Sequence, residues 1–120
     1  MNEPGLALPD CLPPPEHPQA VTQRMPEGTC DSHVHVIGPQ PTYALDPARG
    51  YTPHTATLTG YRRFMSALGI DRAVLVQPSF YGNDNSALLD ALREGGAAFR
   101  GIVVPPADLS DAEIDAMHIL

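Results

Sequence analysis

The sequence predicts an α/β fold: three consecutive βα units on a parallel sheet, either the opening of a doubly wound sheet or the first three-eighths of a (β/α)8 barrel. Three observations carry that expectation. Strand-like stretches alternate with helix-periodic ones three times between residues 29 and 120, and such alternation implies right-handed crossovers between parallel strands. The middle strand, Ala73-Val74-Leu75-Val76, is apolar on both parities, the pattern of a strand covered on both faces. The first strand is followed by Gly38-Pro39 rather than a GxGxxG turn, which weakens the doubly wound, dinucleotide-binding alternative.

Residues 1–28 hold Pro4, Pro9, Pro13-Pro14-Pro15, Pro18 and Pro26. That density fixes φ and removes backbone donors, so an extended proline-rich leader is expected ahead of a single domain at 29–120. The first strand is expected from Thr29 to Ile37. On a regular strand, residues two apart share a face, which puts Asp31, His33 and His35 together. Gly38 to Ala56 forms a loop longer than most connections, and its Tyr43 and Tyr51 argue for order. From Thr57 onward, Leu58, Tyr61, Phe64, Met65 and Leu68 recur at helical spacing, and Gly69 supplies the C-cap. The second strand follows to Gln77, with Pro78 ending it. A second helix, capped by Asp84, turns Ala87, Leu88, Ala91 and Leu92 inward and stops at Gly95-Gly96. Phe99 to Val104 reads as the third strand. Ser110 with Glu113 then makes a capping box for a third helix bearing Ile114, Met117 and Leu120.

Composition excludes several classes of function. Fourteen acidic against seven basic residues give a formal charge of −7, which disfavours nucleic acid and anionic membrane surfaces as partners. No apolar run approaches the ~20 residues of a membrane-spanning helix. Acidic Glu3 and Asp10 stand where a secretory signal would be basic and then apolar, so a cytoplasmic location is expected. Two cysteines, Cys11 and Cys30, give no disulfide framework.

The chemistry concentrates at Thr29-Cys30-Asp31-Ser32-His33-Val34-His35-Val36. Two imidazoles on one strand face suit two ligands of a divalent metal, or two donors to an anionic or carbonyl oxygen. They also suit solvated residues on an ordinary edge strand. In a parallel α/β architecture reacting groups gather at the C-terminal strand ends, where His33, His35, Gln77, Ser79 and the first long loop fall. Ser79 has no acid–histidine relay in view and doubles as a strand-end cap, while Tyr51 is equally a packing aromatic.

Three motifs together, Cys30 to Pro39, Arg49-Gly50-Tyr51-Thr52-Pro53, and Arg72 to Asn85, resemble the amidohydrolase superfamily, most closely the amidohydrolase-related branch that includes the 2-pyrone-4,6-dicarboxylate lactonases. The resemblance runs from about Gly28 to the last residue. It implies that residues 29–120 are the N-terminal, truncated part of a (β/α)8 TIM barrel, and a hydrolase of carboxylic ester (lactone) bonds acting on a small anionic lactone, with His33 and His35 as the catalytic pair and Tyr51 and Ser79 as substrate contacts. It further implies that His33 and His35 bind a divalent metal, zinc or manganese, as in most of the superfamily, or act with none, as in the lactonase branch. Members of the family run to more than twice this length, with a late Asp, a further His and carboxylate-binding Arg residues beyond position 120. The expectation is therefore an N-terminal fragment that is inactive alone. The alternative is a non-catalytic truncated α/β fragment or a metal-binding protein.

Overall fold

The computed structural model describes residues 10–120; the part of the expected leader that includes Pro4 and Pro9 lies outside them. The elements are β1 (Cys30–Val34), α1 (Leu58–Leu68), β2 (Arg72–Val76), α2 (Ser86–Gly95), β3 (Phe99–Ile102) and α3 (Asp111–His118), with short 3-10 turns at Ser79–Tyr81 and Gly96–Ala98. The three strands form one sheet in the order β1-β2-β3, and both pairings are parallel. This is the predicted α/β arrangement of successive βα units.

Local chemistry sets each helix. The Thr57 hydroxyl accepts from Gly60 N at 3.2 Å to open α1, and Gly69, at φ 79°, closes it by donating its N–H to Met65 O. That left-handed backbone conformation is cheap only for glycine. At the start of α2 the capping differs from expectation. Asn85 occupies the N-cap position without a side-chain capping bond, and Asp84 Oδ1 instead accepts from Ser86 N at 3.0 Å. The capping box of α3 forms as predicted between Ser110 and Glu113, and it holds the Glu113 carboxyl below the usual carboxylate range by hydrogen bonding to the Ser110 side chain and backbone.

Strand ends fall short of the sequence expectation for identifiable reasons. Beyond Val34 the chain leaves the ladder, and Ile37 pairs antiparallel with Ala56 in two 2.8 Å backbone bonds. β3 stops at Ile102 because the buried Asn85 amide takes over the backbone of Val104: its Nδ2 donates to Val104 O at 2.9 Å and its Oδ1 accepts from Val104 N at 3.0 Å.

One face of the sheet packs on the helices. Ala73, Leu75 and Phe99 meet Leu58 and Met65 of α1 and Leu88, Ala91 and Leu92 of α2 in the main core, with Leu75 fully buried. Gly101 shares this face, and a Cβ there would sit 2.6 Å from Leu92 Cδ1, so close packing of β3 on α2 depends on its missing side chain. The expected coverage of β2 on both faces holds on this side only: Val74 and Val76 are half-buried on the other side, where Ile102 is 54% exposed. A second cluster, Phe80, Tyr81 and Ala87 with Ile37, Tyr43, Leu45 and Tyr51, orders the long loop. Residues 10–28 contain no helix or named strand and are tied to the body by Cys11 N to Thr52 O, Val21 N to Ala67 O and Met25 N to Leu68 O. No residue of α3 is buried. Among the described residues no helix is long and apolar enough to cross a membrane.

Candidate functional site

The pairing of β1 with β2 decides where the histidines point. Cys30 and Asp31 pair with Arg72 and Ala73, but the next partners are Val34 and Leu75, so three steps on β1 oppose two on β2. That extra residue is a β-bulge, and it switches the alternation of faces. Asp31 and Val34 both lie on the helix side with Ala73 and Leu75, and Val36 enters the core there. His33 and His35, the residues on either side of Val34, fall on the opposite, open face.

Regular strand parity groups Asp31 with the two histidines; the bulge separates them. Asp31 Oδ2 accepts a 2.8 Å hydrogen bond from the Tyr61 hydroxyl of α1, and its Oδ1 accepts from His33 N at 3.1 Å. Asp31 therefore fastens the bulge to the helix layer and does not hold an imidazole ring. Tyr61 is raised well above the ordinary phenol pKa, first by burial and then by this bond. Sequence reasoning treated Tyr61 as one apolar position of a helical stripe; the signal it passed over is that a buried tyrosine hydroxyl needs a partner.

The imidazoles meet edge to face, with ring centroids 5.1 Å apart and planes at 84°. His33 is exposed and His35 half-buried. His35 Nδ1 lies 2.9 Å from the carbonyl oxygen of Val76, the last residue of β2. The remaining histidines, His17, His54 and His118, are exposed and belong to the leader, the long loop and α3.

Tyr51 and Ser79 belong to the same end of the sheet but play different local parts. Tyr51 packs edge to face on Phe80 at 5.5 Å, within the second aromatic cluster. Ser79 is exposed, and its carbonyl accepts from Gly82 N in the turn after β2. Among the described residues neither side chain hydrogen-bonds to either histidine. Gln77 is buried: its Nε2 donates to Gly82 O at 3.2 Å and Asp84 O at 2.8 Å, while its Oε1 has no partner. A cleft of about 430 Å³ lies between α2, β3 and α3, lined by Leu92, Val103 and Met117 among others, and the histidine pair takes no part in it.

Two imidazoles bound to one tetrahedral ion at about 2.0–2.1 Å would have ring centroids roughly 5 Å apart, so the pair has suitable spacing. A catalytic zinc, however, takes three protein ligands. Among the described residues no group of three or more His, Cys, Asp or Glu is arranged to hold an ion. The donor set among the described residues does not by itself make up a metal centre.

The amidohydrolase family profile matches residues 30–118. The chain belongs to the amidohydrolase family. Its curated relatives include the 4-sulfomuconolactone hydrolase of Hydrogenophaga intermedia, 38% identical over 98% of this chain and 39% of that protein. They also include the 2-pyrone-4,6-dicarboxylate hydrolase of Comamonas testosteroni, 36% identical over 79% of this chain and 31% of that protein. Among solved structures, a probable 2-pyrone-4,6-dicarboxylic acid hydrolase from Acinetobacter baumannii, crystallised with citric acid, superposes with a TM-score of 0.71 at 26% identity, covering 77% of this chain and 34% of that one. This amidohydrolase chain thus spans between 31% and 39% of the length of these two curated relatives.

Proposed function

We propose that this chain forms the carbonyl-binding part of a lactone hydrolase, in which His33 and His35 polarise the scissile carbonyl of a small anionic lactone while water attacks it. The observation that carries this is the projection of both imidazoles from one bulged strand end onto the open sheet face, 5.1 Å apart. Support comes from relatives named for hydrolysing sulfomuconolactone and a pyrone dicarboxylate, and from a structural neighbour crystallised with a tricarboxylate. Opening a lactone builds negative charge on the carbonyl oxygen, and preorganised donors aimed at that oxygen are worth about 3–4 kcal/mol each in acyl-transfer enzymes. His33 and His35 are the catalytic residues in this reading. Ser79 and Tyr51 border the substrate, Ser79 through its exposed hydroxyl and Tyr51 by shaping the aromatic wall.

Water attack also requires a proton acceptor and groups that orient the acidic substrate. With both histidines turned to the carbonyl and Arg49 engaged, donating to Asp46 O and the Thr52 hydroxyl, these needs are unmet within the described residues. The 120-residue chain alone is therefore inert, and turnover belongs to a barrel that supplies the remaining strands. The substrate is a free metabolite-sized anion met in the cytoplasm, and neither nucleic acid nor a membrane surface is a partner. Replacing the matching 39% of the Hydrogenophaga hydrolase with this chain tests the proposal. A folded chimera that opens sulfomuconolactone or pyrone dicarboxylate supports it, and a folded chimera inert toward both refutes it.

A further inference from the structure

We propose that the backbone carbonyl of Val76 holds His35 in its Nδ1–H tautomer and so divides the pair into one fixed acceptor and one free donor. The argument starts from the 2.9 Å separation of His35 Nδ1 and Val76 O. A carbonyl oxygen has no hydrogen to give, so the proton between them belongs to Nδ1. In a neutral imidazole the other nitrogen, Nε2, then carries a bare lone pair. Such a nitrogen receives a proton or a cation, and it donates to a carbonyl oxygen only once it has taken up a proton.

The fold keeps the ring in place. Val36, the next residue, is 8% exposed in the main core, and Val76 is the terminal residue of the central strand, so neither partner moves without disturbing β1 or β2. His33 is held differently. Its backbone N–H is tied to Asp31 Oδ1, yet among the described residues no side chain or carbonyl takes up either of its ring nitrogens, leaving it free to present an N–H. In their neutral forms the two imidazoles are therefore not interchangeable: His33 can donate as it stands, whereas His35 first accepts and joins His33 on the carbonyl oxygen only as the protonated ring, with Val76 as the positioning residue. The chemical use of that division rests on the lactone reading above, whereas the tautomer itself does not.

Long-range proton–nitrogen correlation spectra of the 15N-labelled chain at about pH 8.5, where an ordinary imidazole is neutral, read the tautomer without any turnover. His35 is assigned by the signal that disappears in His35→Asn. The expected result is Nδ1–H dominance at His35 of several-fold to about tenfold, the bias one net hydrogen bond supports, with no such bias at His17, His54 or His118. Nε2–H at His35, or a mixture no different from the other histidines, overturns the proposal. A second arm uses the amide mimics. His35→Asn places an N–H where Nδ1 stood and should melt close to the parent, while His35→Gln places it at Nε2 and should melt several degrees lower. Equal melting of the two variants counts against the Val76 bond. An Nδ1–H result in a chain whose chimera proves inert would sink the lactone reading and leave the tautomer standing.

Discussion

Removing one oxygen, Tyr61→Phe, tests whether the bulge that aims His33 is fastened by α1. The hydroxyl donates to Asp31 Oδ2 at 2.8 Å, while Asp31 Oδ1 receives His33 N. A hydrogen bond to a carboxylate contributes about 1.5–3 kcal/mol. Both residues are only half-buried, so water replaces part of the lost bond and a cost of about 1–2 kcal/mol is expected. For a chain of this size that is a fall in melting temperature of roughly 3–10 °C. Urea and thermal denaturation followed by circular dichroism measure it. Asp31→Asn offers one amide oxygen for two donors, and the double variant should show coupling of about 1 kcal/mol with Tyr61→Phe. Strictly additive single effects, or a Tyr61→Phe protein within a few tenths of a kcal/mol of the parent, would refute the idea that this pair fixes the strand end.

Alkaline stability gives a related test. Folding raises the Tyr61 pKa by burial and by the Asp31 bond, so its contribution is complete below the unfolded value of about 10 and is lost as pH rises beyond it. The parent should lose stability more steeply above about pH 10 than Tyr61→Phe, as read by tyrosinate absorbance and denaturation together. Gly101→Val should cost about 1–3 kcal/mol by overpacking, because its Cβ would meet Leu92 Cδ1 at 2.6 Å; a variant melting with the parent would contradict the close approach of β3 to α2. Ser110→Ala removes the hydroxyl that accepts from Glu113 N while leaving the Ser110 backbone N–H on the Glu113 carboxylate, and should speed amide exchange in α3 alone, since no residue of that helix is buried. Dialysed chain should retain no stoichiometric zinc or manganese by elemental analysis, as two imidazoles fall short of a three-ligand site; a full equivalent of bound metal would show that other groups complete it.

The βα order was legible because it rests on local patterns. Leu58, Tyr61, Met65 and Leu68 declare a helix by spacing, Gly69 its end, and Ala73 to Val76 a strand between helices. The histidines were legible as a pair because residues two apart share a face wherever the backbone is extended. Asp31 was misplaced for the same reason: the bulge exists only in the register of β1 against β2, a relation between residues some forty positions apart that no window of β1 contains. The end of β3 is likewise set by a distant group, the Asn85 amide, and the His35 partner is a main-chain oxygen, which leaves no trace in side-chain identity. Tyr51 looked like either a packing ring or a contact, and its edge-to-face approach to Phe80 shows the packing while leaving the contact as a proposal.

The lactone reading stands most directly on the kinetic split in the chimeric hydrolase carrying His33→Ala or His35→Ala. Groups that act on the developing oxyanion stabilise the transition state over the ground state, so each substitution should lower kcat by about 100-fold or more with KM changed far less. Folded variants whose kcat stays at the parent value, or whose loss appears in KM alone, would contradict the assignment of the pair to carbonyl activation.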